Sequence, residues 1–161
     1  INKVIELKKF HSSNITQKYL NWLKDKEIIK YTAINPKLNK KKIFEYVKKH
    51  QNNKLQKLLR IFYLKKHVGN IRINFLNTSE VTIGIIIGEE DHHNLGIGSR
   101  ALKKLIEILK KNKVKSIIAY VSKKNLKSIF FFKKNGFYLV KNKNYLIKLK
   151  KNTYHIFKLD I

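Results

Sequence analysis

Apolar and polar positions along the chain repeat with two periods, close to two and close to 3.6 residues, and the alternation between them marks the elements. Val4, Ile5, Leu7 and Phe10 predict an opening strand. Thr16 is placed to cap a helix carrying Tyr19, Leu20, Trp22 and Leu23, and a second short helix runs through Ile28 and Ile29. Past an irregular stretch that holds Pro36, Asn39 is placed to cap a helix with Ile43, Phe44 and Val47 on its apolar face. Strands follow at 58–64 and 68–76, turned at Lys66 and His67 before Gly69, and Asn77-Thr78-Ser79 turns into a third at 80–88. A long helix carries Ala101, Leu102, Leu105, Ile106 and Leu109 as its stripe. A strand at 116–122 precedes a helix from Asn125 through Asn135, stopped by Gly136. The last strands are expected at 137–149 and 154–160. This is a mixed α/β succession of α+β character.

In the third strand, Val81, Ile83, Ile85 and Ile87 face one way, toward a core. Thr82, Gly84, Ile86 and Gly88 face the other. Glycine weakens a strand interior unless a bulge, a packed helix or a ligand needs the backbone bare. The segment after this strand bears on that choice. A polar loop, Glu89-Glu90-Asp91-His92-His93, leads to Asn94-Leu95-Gly96-Ile97-Gly98-Ser99 at the start of the long helix. Strand, glycine loop and helix N-terminus together make an anion site, because bare N–H groups and the positive end of the helix dipole converge there. The pattern is neither a Walker loop nor the three-glycine dinucleotide motif.

Composition narrows the classes. With 161 residues, 43% of them hydrophobic and 11% aromatic, the chain suits one domain over 1–161 with its own core and not a disordered tail. Cysteine is absent, which removes disulfide frameworks, cysteine-ligated metals and thiol nucleophiles, and no metal is expected. No apolar run reaches the roughly 18 residues of a membrane span. No signal-like segment opens the chain, so a soluble, cytoplasmic protein is expected. The net charge is +27, but only Arg60, Arg72 and Arg100 among the 37 basic residues are arginine. Lysine, isoleucine and asparagine share A/T-rich codons, so drift in base composition explains much of the excess. Base readout also favours the arginine fork, so nucleic acid is not expected as the main partner. The field still attracts polyanions such as a phosphorylated cofactor or a nucleotide-linked substrate.

These segments resemble the GNAT superfamily of acetyl-CoA-dependent N-acetyltransferases. The family's R/Q-x-x-G-x-G/A motif is matched by His93 to Gly98, with His93 where Gln or Arg is usual. Its N-x-x-A/S-x-x-x-Y-x-K-x-G-F motif is matched by Asn125, Ser128, Phe132, Lys134, Gly136 and Phe137. Trp22, Asp25 and Glu27 resemble the W-x-x-D-x-E opening of the RimJ/RimL-like branch, as does the strand Ile83-Gly84-Ile85-Ile86-Ile87-Gly88.

The resemblance implies a GNAT fold: a strongly bent mixed sheet of about six or seven strands with about four helices. It implies acetyl-CoA as co-substrate, wedged between the strands at 80–88 and 116–122. The pantetheine arm would lie on the backbone of Ile86, Ile87 and Gly88, and the pyrophosphate on the loop of His93, Asn94, Leu95, Gly96, Ile97, Gly98 and Ser99. Asn125 would bond the arm, Phe132 would pack near the thioester, and Lys103, Lys104 and Lys134 are candidates for the ribose phosphate. The chain departs from the family at catalysis, with Phe132 for the usual tyrosine and Thr82 for a usual glutamate. Glu80 and Tyr120 remain as candidate proton carriers. Residues 22–36 and the helix after them would wall an amine acceptor, with Trp22 and Tyr31 as contacts. That acceptor is a small-molecule or peptide amine, such as a nucleotide-linked amino sugar or a protein N-terminus, and the many lysines of this wall disfavour a polycation and favour an anionic acceptor such as the nucleotide-linked sugar. A monomer or homodimer is expected. The alternative is a non-catalytic CoA- or RNA-binding module on the same fold.

Overall fold

The computed structural model describes residues 4–32, 34–35, 37–88, 95–141 and 153–161. Local caps set the helix starts. Thr16 Oγ1 accepts the Tyr19 N–H at 3.2 Å and opens α1, Gln17–Trp22. Asp25 accepts from Glu27 and Ile28 to open α2, Lys26–Ile29. Asn39 accepts the Lys42 N–H at 2.9 Å at the head of α3, Lys40–Asn52. Asn125 accepts from Ser128 at 3.1 Å at the head of α5, Leu126–Lys134, and Gly136 with φ 86° ends that turn. Each cap satisfies an N–H that has no partner inside the helix. The long helix α4, Ile97–Lys111, is the exception: its N-cap is Gly96, with no side chain to close it.

The strands are β1 (Ile5–Lys9), β2 (Gln56–Tyr63), β3 (Lys66–Phe75), β4 (Glu80–Ile87), β5 (Ser116–Ser122), β6 (Tyr138–Leu139) and β7 (Tyr154–Asp160). They form one seven-stranded sheet in the order β1-β2-β3-β4-β5-β7-β6, antiparallel except for the β4–β5 pair. With five α-helices among the described residues, this is the mixed α/β architecture expected from the sequence. On one face α4 buries Ala101, Leu102, Leu105 and Leu109 against Ile73, Val81, Ile83, Ile117 and Phe157. Each fully buried aliphatic side chain there contributes about 1.5–3 kcal/mol. On the other face α1 and α3 bury Phe10, Tyr19, Trp22, Ile43 and Val47 around Leu58. This second layer covers the N-terminal half of the sheet.

Two boundaries differ from those expected, and one open alternative closes. The β2–β3 turn is Leu64-Lys65, since Tyr63 already pairs with Lys66. Both turn residues have positive φ, 47° and 64°, the geometry whose twist matches a hairpin. No Asn-Gly pair marks this turn in the sequence, and it lies two residues before the expected position. The register shift of the sheet lies at Ile61/Phe62, while β3 and β4 pair without interruption, so Gly84 sits in no bulge. Of the strand expected at 137–149, only Tyr138–Leu139 is seen as strand, and 142–149 lie outside the described residues.

Candidate active site

Strands β4 and β5 pair only through Glu80↔Ser116, Val81↔Ile117 and Thr82↔Ile118. Beyond Thr82, β4 stays with β3 as far as Gly69↔Ile87, while β5 stays with β7 as far as Ser122↔Tyr154. Each strand is thus held by its outer neighbour, and the sheet opens between them. The Gly88 N–H donates to Val68 O at 2.9 Å, which fixes the phase of the β3–β4 ladder. Gly88, Ile86 and Gly84 direct their main-chain groups toward β3, whereas Ile83, Ile85 and Ile87 direct theirs toward the opening. The edge is therefore built from Ile85 and Ile87. Of the expected trio Ile86, Ile87 and Gly88, only Ile87 belongs to it.

The two glycines of the strand serve different ends. A Cβ at Gly84 would meet nothing within 4 Å, so this position lies open. A Cβ at Gly88 would overlap the indole of Trp22. Trp22 is 5% exposed and stands edge-on to His67 at 5.0 Å and to Tyr19 at 6.3 Å. It is a buried plug over Gly88, and its indole offers little free surface to an acceptor. Tyr31 remains exposed, with the Lys30 ammonium 5.5 Å from its ring centre.

At the head of α4, Gly96 has φ 70° and ψ 12°, left-handed values that only glycine adopts without strain. The first helical bond is Arg100 N–H to Gly96 O at 3.0 Å, and the first turn carries no acidic residue. The N–H groups of Ile97, Gly98 and Ser99 precede that bond. With no side-chain cap, they and the helix dipole make a positive end suited to an anion. Ile97 itself is buried, and Leu95 is exposed. At Gly98 a Cβ would lie 3.0 Å from the Phe131 ring, so this glycine lets α5 pack closely on α4. The Asn135 amide donates to Ser99 Oγ at 3.0 Å across the same contact. A groove of about 370 Å³ follows, lined by Ser99, Arg100, Leu102, Lys103, Ile106 and Asn135. Lys103 belongs to it, while Lys104 donates to Ile5 O at 3.0 Å on β1. His93 and Asn94, with Glu89, Glu90 and Asp91, lie outside the described residues.

The candidate proton carriers separate. Glu80 sits at the closed end of the opening, accepting from Ser116 Oγ at 3.0 Å and paired with Lys158 at 3.5 Å. Tyr120 is half-buried on the diverging part of β5, on the same face as Gly84. Phe132 turns inward, with its ring centre 5.1 Å from Phe131, 4.9 Å from Phe137 and 6.2 Å from Phe157. The Oδ1 of Asn125 is used in capping α5, and its amide nitrogen is not part of that bond.

Some residues on the open face escaped the sequence reading. Asn70, Arg72 and Asn74 on β3 face the same way as Ile86, Gly84 and Thr82, which they pair. Their alternation with Ile71, Ile73 and Phe75 was the available signal. Asn74 donates to Thr82 Oγ1 at 3.2 Å, and its buried Oδ1 has no partner among the described residues. His67 Nε2 faces Gly69 O at 3.1 Å and Asn70 Oδ1 at 3.0 Å, so this nitrogen carries the proton and donates. Burial lowers the His67 pKa below the usual imidazole range, partly offset by the Asn70 bond. Burial also raises the Tyr46 hydroxyl, against the nearby Arg72 charge.

A family model described as an acetyltransferase (GNAT) domain matches residues 5–138. No curated protein matches the sequence. Among solved structures, an acetyltransferase from Thermus thermophilus superposes with a TM-score of 0.80 at 16% identity, over 98% of this chain and 97% of that one. The PaiA N-acetyltransferase of Thermoplasma acidophilum, solved with coenzyme A, gives 0.76 at 18% identity, over 98% and 99%. Spermidine N-acetyltransferase of Vibrio cholerae, solved with coenzyme A and spermine, gives 0.78 at 15% identity, over 98% and 94%. Among the described residues no helix is long and apolar enough to cross a membrane, and no group of three or more His, Asp or Glu is arranged to hold a metal ion.

Proposed function

The chain belongs to the GNAT acetyltransferase family, and from that premise we propose that it moves the acetyl group of acetyl-CoA to a primary amine by direct attack on the thioester. The observation that carries this reading is the divergence of β4 from β5 after Thr82, next to the uncapped N-terminus of α4. Acetyl-CoA supplies an activated acyl thioester, and the residues on these edges suit its parts. Main-chain N–H groups of Ile97, Gly98 and Ser99, with the loop 93–96, receive the pyrophosphate. Lys103 in the groove beside Asn135 faces the ribose phosphate. The edge of Ile85 and Ile87 takes the pantetheine arm as an added strand, joined by the Asn125 amide. A main-chain N–H of the same edge polarises the thioester carbonyl.

Glu80 acts as a clamp at the closed end, not as the base, because its carboxylate already serves Ser116 and Lys158. Tyr120 is the remaining candidate for returning a proton to the thiolate, and solvent takes the proton of the amine. We read residues 1–161 as one domain of the RimJ/RimL-like branch, with a nucleotide-linked amino sugar or a protein N-terminus as acceptor. The buried Phe132 in the usual tyrosine position favours a second reading, a CoA-binding module without turnover. Thiol release from acetyl-CoA against a panel of amines separates the two. Amine-dependent release supports the enzyme. CoA binding by calorimetry without amine-dependent release supports the module.

A further inference from the structure

Arg72 stands on β3 directly opposite Gly84. It is exposed, and the space at Gly84 is open. Gly84 lies two residues past Thr82 and Arg72 two residues before its partner Asn74, so both are on the open side, where β4 and β5 part. The Tyr46 hydroxyl on α3 is beside the Arg72 guanidinium, and His50 is close enough to feel its charge. Among the described residues no carboxylate forms an ion pair with Arg72. A cation beside an opening, with no carboxylate partner among the described residues, is set to receive one from a ligand.

Composition strengthens the point. Arginine is used three times among 37 basic residues. Under such pressure toward lysine, arginine remains informative where its planar fork does what an ammonium cannot. Two of the three have visible employment on aromatic rings. Arg60 lies 5.7 Å from the Phe10 centroid and 5.0 Å from that of Phe62, and Arg100 lies 5.6 Å from Tyr63. Arg72 stacks on no ring among the described residues; it hydrogen-bonds the Tyr46 hydroxyl, and the remaining N–H groups of its five-donor guanidinium can receive an oxyanion.

We infer that Arg72 sets acceptor specificity, binding an oxyanion, carboxylate or phosphate, borne by the acceptor molecule while its amine reaches the opening beside Gly84. The inference rests on the acetyl-transfer reading and narrows it to amines that carry an anionic group. It also excludes polycationic acceptors, which meet Arg72 with like charge.

The test compares small amines by kcat/KM from thiol release: β-alanine, O-phosphoethanolamine, ethylamine and spermidine. A charge-assisted bidentate contact should favour the anionic amines over ethylamine by about tenfold to a hundredfold. The first two compounds distinguish carboxylate from phosphate. Arg72→Gln should collapse the anionic-to-neutral ratio toward one, and Arg72→Lys, which keeps the charge and loses the fork, should keep only part of it. Because Arg72→Gln also alters the Tyr46 contact, its thermal midpoint is measured, and Arg72→Lys carries the comparison if the glutamine variant does not fold. An unchanged ratio in the folded variant overturns the inference while leaving acetyl transfer standing, as does preference of the wild type for ethylamine or spermidine. If no amine is turned over, the acetyl-transfer reading fails, and calorimetry of O-phosphoethanolamine and β-alanine decides separately. Binding that Arg72→Gln abolishes upholds the anion site, and no binding, or binding indifferent to Arg72, overturns it.

Discussion

Replacing Gly88 with alanine adds one methyl group where the indole of Trp22 already lies. The new Cβ would overlap Cδ2, Cε2 and Cε3 of that ring. The ring has little room to retreat, since it is 5% exposed and is flanked by His67 at 5.0 Å and Tyr19 at 6.3 Å. Overpacking of a rigid site costs about 1–3 kcal/mol, and the clash with an anchored ring puts this case at about 3. The melting temperature should then fall by roughly 6–12 °C. Trp22→Leu alone removes part of the buried cluster and costs about 2–3 kcal/mol. The smaller leucine also vacates the volume the alanine needs. The double variant Gly88→Ala/Trp22→Leu should therefore lose less than the sum of the two, by at least about 1 kcal/mol. Urea denaturation followed by circular dichroism serves all four proteins. Fluorescence of Trp22, the sole tryptophan, independently reports its burial in the two that keep it. The reasoning is refuted if Gly88→Ala unfolds within about 0.5 kcal/mol of wild type. Strict additivity in the double variant refutes it as well. Stability unchanged alongside a loss of CoA affinity would mean that the glycine serves a ligand and not the helix.

Exposed Leu64 and Lys65 hold positive φ that costs an L-residue about 1 kcal/mol or more, so Leu64→Asn/Lys65→Gly should raise stability by about 1 kcal/mol, read from the urea midpoint. A lowered midpoint would contradict the turn. Gly98→Ala presses on Phe131 and should be rescued in stability by Phe131→Leu, while Gly96→Ala meets only backbone strain of about 1–2 kcal/mol that no neighbour relieves. If Phe131→Leu rescues both variants or neither, this division of labour is wrong. Burial lowers the pKa values of His67 and His50 in the folded chain, so below about pH 6.5 the unfolded chain binds more protons. The stability they contribute is complete above that pH and is lost as the pH falls toward the folded values. His67→Phe should flatten the dependence of the urea midpoint between pH 7 and 5, and an equal slope in the variant would exclude His67 as its source.

Features that are settled within a few residues were legible in the chain before any fold was known. Thr16, Asn39 and Asn125 cap helices where they were expected to, because a side-chain oxygen two or three residues ahead of a bare N–H needs no tertiary partner. Gly136 stops α5 for the same local reason. The inward face of β4 was equally legible, since alternation alone puts Val81, Ile83, Ile85 and Ile87 on one side. Gly96 was visible as part of a loop meeting a helix N-terminus.

Tertiary structure decided whatever depends on which distant segment arrives. Gly88 and Trp22 lie far apart in the chain, and only the seating of α1 on the sheet shows that this glycine receives an indole while Gly84 stays open. Gly98 took its meaning from Phe131 in the same way. Strand alternation put Glu80 on the face of Thr82, but the ends of the β4–β5 and β5–β7 ladders decided that it meets Ser116 and Lys158 at the closed end. Arg72 was one cation among many until register set it across from Gly84. Caps and alternation are encoded residue by residue. Sheet partners and the atoms that fill a glycine's empty side are chosen by the packing of whole elements, and no local pattern records that choice.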